Sequence, residues 1–246
     1  MEKLLLEHKF DLFDYMNEVN AVKENGYKFR FERYGMNFEF YLPHYEEDLL
    51  QHIIVNYANF YENVELDYLR KEIIPRDAVV LDIGANIGNH TVFFGKVCGA
   101  KRIYCFEPVH ETYETLCENI ELNGLDNIVT ANNTALGSIS GKAKIKYYDP
   151  KQIGSTQVEE AEDGDMQMAR LDDYAFERID FIKIDVETYE YNLLKGAKET
   201  FTKHSPIVFI EILEENFNKV NALLEEYGYS HIETVGVINH LYRKRR

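Results

Sequence analysis

The chain has 246 residues, 45% of them hydrophobic, and a net charge of −16. This composition predicts a folded protein with a sizeable core, and the acidity excludes a broad electropositive surface for nucleic acid. No run of 18 apolar residues is present, so no membrane span is expected. Residues 1–7 have too short an apolar core for a signal peptide, and the three cysteines lack CxxC spacing. We therefore expect a reducing, cytoplasmic location.

Residues 1–65 are predicted to form a small α/β cap on the main domain, which would comprise residues 66–246. Residues 4–18 carry apolar side chains among acids, as an amphipathic helix does. Apolar and polar residues then alternate on both sides of a Tyr34-Gly35 turn, which predicts a β-hairpin. Apolar positions at helical spacing after Pro43 predict a second helix.

From Val79 onward, predicted strands and helices alternate along the chain. The strands are expected at residues 79–83, 102–106, 128–131, 179–184 and 207–210, and a helix is expected after each except the third. This order predicts a parallel sheet covered on both faces, with ligands at the carboxyl ends of the strands. Two last strands on either side of Gly236 are predicted to pair antiparallel.

Residues 138–172 interrupt the alternation. The sequence Lys144-Ile145-Lys146-Tyr147 predicts an edge strand, and the acidic stretch from Glu159 to Asp165 predicts an exposed loop. One continuous helix is predicted from about Thr188 to Phe201.

A strand, a glycine turn and a helix start follow one another at residues 79–94, and we call the turn over residues 84–89 the cradle. Dinucleotide sites need glycine at the first, third and sixth positions of such a turn, where this chain has Gly84, Asn86 and Asn89. The glycine that lets backbone approach a pyrophosphate is missing. The pattern therefore favours S-adenosylmethionine (SAM), whose carboxylate is expected on the cradle, with contacts from Ala85 and Gly88. Asp82 is expected to accept a hydrogen bond from its ammonium group, directly or through water.

Other parts of the cofactor site are predicted after the next two strands. Glu107, followed by Pro108, ends the second strand of the main domain, where a carboxylate can bind both ribose hydroxyls. Capping of the following helix is the alternative role for Glu107. Asn133 and Ala135 follow the third strand, where an adenine edge would be read, although turn formation explains Asn133 equally well.

An ordered series of motifs resembles one known family. The motifs are Asp82-Ile83-Gly84-Ala85-Asn86-Ile87-Gly88, Phe106-Glu107-Pro108, Ala135-Leu136-Gly137, Leu171-Asp172-Asp173, Ile182-Lys183-Ile184-Asp185-Val186-Glu187 and Leu194-Lys195-Gly196-Ala197. Over about residues 60–212 they resemble the FkbM-family methyltransferases. The resemblance implies a class I SAM-methyltransferase fold, which is Rossmann-like with a seven-stranded, mostly parallel sheet and a reversed last strand. It also implies O-methylation of hydroxylated small molecules such as polyketides or sugars.

Three residues are candidates for handling the proton of the acceptor hydroxyl. Asp185 and Glu187 follow the fourth strand, and alternation turns both side chains to one side if the strand continues that far. One would act as base, and Asp185 would also contact the cofactor. Capping of the next helix is the alternative for either acid. His90, at the start of the cradle helix, is a further candidate base, with simple packing as its alternative.

Five residues are expected to contact the acceptor: Tyr61, Glu62, Ser155, Thr188 and Glu211. The family usually has glycine at the position of Thr188, so substrate identity does not carry over. Mg²⁺ bound by acids at the strand ends is an alternative that the sequence does not favour. An NAD-dependent oxidoreductase and a non-catalytic SAM-binding protein also remain open as readings of the function, and the sequence does not define an oligomeric state.

Overall fold

The computed structural model describes residues 21–245, so the helix predicted for residues 4–18 lies outside the described part. The strands, numbered along the chain, are β1 (Lys28–Arg33), β2 (Met36–Tyr41), β3 (Val79–Ile83), β4 (Arg102–Phe106), β5 (Val129–Asn132), β6 (Ala135–Leu136), β7 (Gly141–Tyr147), β8 (Gln157–Glu160), β9 (Met166–Ala169), β10 (Phe181–Ile184), β11 (Ile207–Glu211), β12 (Tyr229–Val235) and β13 (Asn239–Lys244). The α-helices with both ends in this part are α1 (Leu49–Tyr57), α2 (Asn63–Tyr68), α3 (Asn89–Val92), α4 (His110–Leu122), α5 (Glu190–Lys195), α6 (Lys198–His204) and α7 (Glu214–Glu226). None of the described helices is long and apolar enough to cross a membrane.

The central sheet has seven strands in the order β12-β13-β11-β10-β3-β4-β5. Strands β11, β10, β3, β4 and β5 are parallel, while β13 is antiparallel to both of its neighbours. The predicted parallel sheet with a reversed last strand is therefore confirmed. Its carboxyl-terminal edge brings together the segments that follow β3, β4, β10 and β11.

Two hydrophobic clusters cover the two faces of this sheet. Val80 and Phe181 pack into one cluster, and their chain neighbours Leu81 and Ile182 pack into the other. Successive strand residues point to opposite faces, so an apolar run without alternation is what a sheet covered on both sides requires. Lys183 is the exception in β10, because it is a charged residue that is only 4% exposed.

The described part of the cap packs on one face of the sheet. Its hairpin pairs β1 with β2 as predicted, and Phe31, Phe38 and Phe40 surround Phe60. The Phe60 ring also meets Phe93, next to the cradle helix, at a centroid distance of 5.2 Å. The cap residues and the sheet residues thus belong to one hydrophobic cluster, which fixes the cap over the cradle.

Residues 135–169 form a second sheet that the sequence analysis did not predict. Its order is β6-β9-β7-β8. Strand β7 begins before the predicted strand, at Gly141. The prediction of an edge strand was wrong, because β7 pairs with β8 on one side and with β9 on the other. The prediction of a loop was wrong for Glu159 and Glu160, because both pair with β7. Opposite charges on facing strands favour this pairing, and Lys144 lies opposite Glu159. The turn between β7 and β8 reaches the main cavity.

The predicted continuous helix after β10 is two helices, α5 and α6. Asp172 explains the break, because its carboxylate accepts hydrogen bonds from the backbone N–H groups of Glu199 (3.1 Å) and Thr200 (2.8 Å). Its own N–H donates to the Gly196 carbonyl, at 2.9 Å. A capping carboxylate from a distant segment thus starts a new helix. Local periodicity carries no signal of that contact.

Candidate functional site

A cavity of about 300 Å³ lies at the carboxyl ends of the central strands. Eleven of the predicted site residues line it: Tyr61, Glu62, Gly84, Asn86, Glu107, Pro108, Ala135, Ser155, Asp185, Glu187 and Glu211. The predicted residues that do not line it are Asp82, Ala85, Gly88, Asn89, His90, Asn133 and Thr188. The eleven lining residues are in position to touch a ligand, and the other seven lie behind the cavity wall.

The cradle begins with a close approach between two strand ends. A Cβ on Gly84 would lie 1.7 Å from the Asp185 carbonyl oxygen, and the φ of Gly84 is +75°. Only glycine fits such a position. The N–H groups of Gly84 and Ala85 both donate to the Phe106 carbonyl at 3.0 Å. The Ala85 N–H is thus engaged within the protein, which accounts for its absence from the cavity wall.

The end of the cradle faces protein and not the cavity. Gly88 packs against the side chain of Leu116 in α4. The Asn89 amide forms two hydrogen bonds with the backbone of Tyr61, accepting from its N–H at 3.0 Å and donating to its carbonyl at 3.1 Å. Gly88 and Asn89 do not line the cavity, because Gly88 packs on α4 and Asn89 attaches the cap to the main domain. Their contacts with a cofactor stay predictions.

His90 supports Glu62 and does not reach the cavity. Its Nε2 lies 3.2 Å from Glu62 Oε2, and the ring is buried against Phe94. Burial opposes the charge of Glu62, but the His90 contact and the nearby Lys183 lower the pKa of Glu62 below its ordinary value. His90 does not line the cavity, and its role as a base stays a prediction. The His90 contact keeps Glu62, which lines the cavity, as a charged carboxylate.

Glu107 has the position expected for a ribose ligand and also caps backbone. Its two carboxylate oxygens accept hydrogen bonds from the N–H groups of Asn86 (3.0 Å) and Val109 (2.9 Å). Burial raises its pKa to about 7, although these two bonds act in the opposite direction. A carboxylate has about four acceptor positions, so two remain for hydroxyl donors. Asn133 donates to the carbonyls of Glu107 and Pro108 and so fixes this segment without lining the cavity.

Lys183 is a site residue that the sequence analysis missed. Its Nζ donates to the Gly84 carbonyl at 2.9 Å and to Asp185 Oδ2 at 3.2 Å, and lies 3.7 Å from Asp82 Oδ1. Burial disfavours the charged ammonium, but the surrounding carboxylates raise its pKa above the ordinary value. Lys183 therefore joins the cradle to Asp185. A lysine within an otherwise apolar strand was the available signal.

Asp82 lies beneath the cradle and is fully buried. Thr91 Oγ1 donates to its Oδ2 at 2.6 Å, and its Oδ1 has only the long contact with Lys183. The Asp82 side chain does not line the cavity, and its acceptance of a hydrogen bond from a cofactor ammonium, directly or through water, stays a prediction. The structure gives Asp82 a supporting position, as counter-ion of Lys183.

Three acids converge at the other end of the cavity, and we call Asp185, Glu187 and Glu211 the acid trio. One oxygen of each lies within 4.8 Å of one oxygen of the others. Burial, followed by repulsion from neighbouring acids, raises the pKa of Glu187 to about 7 and that of Glu211 to about 8. Two acids of the trio can therefore take up a proton near neutral pH.

The trio forms for a different reason from the predicted one. Strand β10 ends at Ile184, so alternation along a strand does not reach Glu187. Glu187 and Thr188 instead have left-handed backbones, with φ of 48° and 76°. This turn brings Glu187 back toward Glu211, at the end of the neighbouring strand. Three carboxylates suit a hard cation, but Lys183 already supplies positive charge next to Asp185.

The turn between β7 and β8 forms one side of the cavity, and we call its residues 149–156 the cavity loop. Gln152, Ile153, Gly154, Ser155 and Thr156 all line the cavity. A Cβ on Gly154 would lie 2.8 Å from Asn86 Nδ2. Ser155 was predicted to lie over the acceptor, yet the neighbouring Gly154 contacts the cradle. The loop therefore covers the cofactor side of the cavity as well.

Comparison with known proteins identifies the family. A family model described as the methyltransferase FkbM domain matches residues 82–230, which is more than half of the chain. The chain belongs to the FkbM methyltransferase family. The match includes the cradle, Glu107 and the acid trio. Membership decides between a methyltransferase and an NAD-dependent oxidoreductase in favour of the methyltransferase.

Two fungal relatives of the FkbM chain cover most of its length. Methyltransferase 1 of Beauveria bassiana is 24% identical in an alignment of 213 residues that covers 71% of this chain and 85% of the relative. Methyltransferase sdnD of Sordaria araneosa is 26% identical in an alignment of 214 residues that covers 68% of this chain and 83% of the relative.

Solved structures agree on the fold. The FkbM methyltransferase of Methylobacillus flagellatus KT superposes with a TM-score of 0.51 at 17% identity, and the match covers 81% of this chain and 56% of that one. The ribosomal protein L11 methylase of Lactobacillus delbrueckii subsp. bulgaricus gives a TM-score of 0.50 at 16% identity, over 76% and 83% of the two chains. The fold is therefore that of the class I SAM-dependent methyltransferases.

Proposed function

We propose that this FkbM-family methyltransferase uses SAM to methylate a hydroxyl group of a small hydroxylated acceptor, a sugar or a sugar-containing metabolite such as a precursor of a surface polysaccharide. The acid trio carries the proposal, because it places two carboxylates of raised pKa in the wall of the cavity. Tyr61 and Tyr189 also line the cavity. Their rings suit stacking against a sugar, and the carboxylates suit its hydroxyl groups.

The order of the strands supports one direction for the bound cofactor. Neighbouring strands are about 4.8 Å apart, and the order β4, β3, β10, β11 places Glu107, the cradle, Asp185 and Glu211 in a row. Glu107 would bind the ribose hydroxyls, and the apolar residues Phe106 and Val109 beside it suit an adenine ring. The methionine end would lie across the cradle toward Asp185. Residues of this chain thus fit each part of the cofactor.

When bound, SAM supplies an activated methyl group on a positively charged sulfur. The contribution of the protein is alignment of the acceptor and removal of its proton. A carboxylate with a pKa of about 7 or 8 accepts a proton more readily than an ordinary glutamate does. Glu187 and Glu211 are therefore the proposed bases, and Asp185, held by Lys183, orients the acceptor. No metal ion is needed in this scheme.

The test is methyl transfer from labelled SAM to a panel of sugars, nucleotide sugars and hydroxylated metabolites. Mass spectrometry and NMR of the product would show the gain of one methyl group on oxygen. With an accepted substrate, Glu187→Gln and Glu211→Gln are expected to lower kcat about a hundredfold or more. Glu190→Gln is the matched control, because Glu190 has a similarly raised pKa but does not line the cavity. The glutamine also keeps an oxygen that can accept from the Thr188 N–H.

The dependence of the rate on pH gives a second readout. A base must be deprotonated to act, so kcat is expected to rise as the pH increases through about 7 to 8 and then to level off. A rate that is unchanged by both glutamine substitutions would contradict the assignment of the bases. Tight SAM binding without transfer to any acceptor would favour a non-catalytic SAM-binding protein.

A further inference from the structure

A buried carboxylate, that of Asp48, attaches the cavity loop to the cap. Its Oδ1 accepts a hydrogen bond from the Ile153 N–H at 2.8 Å, and its Oδ2 accepts from the Gln51 N–H at 3.0 Å. Asp48 is only 2% exposed. One side chain therefore caps helix α1 and holds a loop that is 105 residues away in the sequence.

A backbone contact accompanies this side-chain contact. The Leu49 N–H donates to the Lys151 carbonyl at 2.9 Å. Within the loop, the N–H groups of Gln152 and Ser155 donate to the carbonyls of Asp149 and Gln152. These bonds within the loop fix its conformation. The contacts with the cap then set the position of the loop over the cavity.

The cavity loop, held by Asp48, lies next to the cradle. Gly154 approaches the Asn86 amide, and Ile153 is buried in the cavity wall. A cofactor lying on the cradle would be enclosed between Asn86 and this loop. Departure of the cofactor would then require the loop to lift, and the bond between Asp48 and Ile153 would have to break.

We propose that Asp48 is a positioning residue that fastens the cavity loop over the cradle and so slows the release of the cofactor. This inference rests on the proposed function, because it takes SAM or its product as the ligand of the cradle. Asp48 lines the cavity beside the loop, and its described hydrogen bonds go to Gln51 and Ile153 and not to the acid trio. Its substitution is therefore expected to change the residence time of the cofactor more than the chemical step.

The experiment separates the two roles of Asp48. Asp48→Ser keeps a good N-cap for Gln51 but is too short to reach Ile153. Asp48→Asn retains one acceptor oxygen and serves as a second variant should the serine variant fold poorly. Asp149→Ser is the matched control, because the Asp149 side chain, among the contacts described, accepts a hydrogen bond only from the Lys151 N–H within the loop. The probe is S-adenosylhomocysteine, and the readouts are its dissociation rate and amide hydrogen exchange of the loop.

We expect Asp48→Ser to release S-adenosylhomocysteine about tenfold faster than the wild type, as loss of one hydrogen bond to a charged group predicts. The Ile153 amide is expected to exchange faster, with the melting temperature nearly unchanged, and Asp149→Ser should resemble the wild type. Unchanged release, or equal acceleration by Asp149→Ser, would overturn the role of Asp48 alone. Failure of the wild-type protein to bind S-adenosylhomocysteine would overturn the proposed function as well.

Discussion

At the scale of single residues, Thr188 departs from the family where the backbone is most constrained. Its φ is 76°, and the preceding Glu187 has a φ of 48°. A β-branched residue is strained in this region, at a cost of about 1–3 kcal/mol. The strain explains why glycine is usual at this position. In this chain the turn is supported by the Glu190 carboxylate, which accepts from the Thr188 N–H at 2.8 Å.

Replacing Thr188 by glycine should therefore stabilise the protein. Relief of strain outweighs the entropy that glycine adds to the unfolded chain, and we expect a gain of about 1 kcal/mol in the free energy of unfolding. Urea denaturation of Thr188→Gly would measure it. Thr188→Ala keeps a Cβ at positive φ and should bring no comparable gain. A glycine variant less stable than the wild type would contradict the account of strain at this turn.

At the scale of elements, patterns within a short stretch predicted structure well. The alternation in residues 27–40 gave the hairpin β1–β2, and the repeat of apolar strands and amphipathic helices gave the order of the main sheet. Each of these elements buries a face that its own residues define. The turn after β3 was also recognisable from its glycine, because only a residue without a Cβ fits at position 84 beside the Asp185 carbonyl.

Elements that depend on distant contacts were not predictable in the same way. Strand β8 exists because β7 offers it an edge, and α6 begins where Asp172 caps it. The same holds within the site: Asn89 and Asn133 have the expected residue types, yet their amides bind backbone from other segments. Residue type and position near a strand end identify a neighbourhood. Which side chains face the cavity depends on the packing of the cap and of α4.

At the scale of the whole molecule, the acids of the cavity edge govern the response to pH. Burial raises the pKa of Glu107, Glu187 and Glu190 to about 7 and that of Glu211 to about 8. The folded protein thus holds protons that the unfolded chain releases above pH 4.5. The contribution of these four acids to stability is fully present below that value and is lost as the pH rises through the four raised values.

The ligand-free protein should therefore resist urea better at about pH 5.5 than at about pH 8.5. The net charge of −16 acts in the same direction, because protonation reduces repulsion between acids. Denaturation curves at the two pH values would measure the difference, and Glu211→Gln should make it smaller. Stability that increases over this range would contradict the raised pKa values at the cavity.

The central claim concerns the direction of the cofactor across the cavity, from Glu107 over the cradle to the acid trio. A crystal structure of the protein with S-adenosylhomocysteine tests it most directly. We predict that the ribose hydroxyls bind Glu107 and that the sulfur lies on the side of Asp185, with Glu187 or Glu211 near the expected methyl position. A ligand whose sulfur lies remote from all three acids, or whose ribose lies at Glu211, would contradict the account.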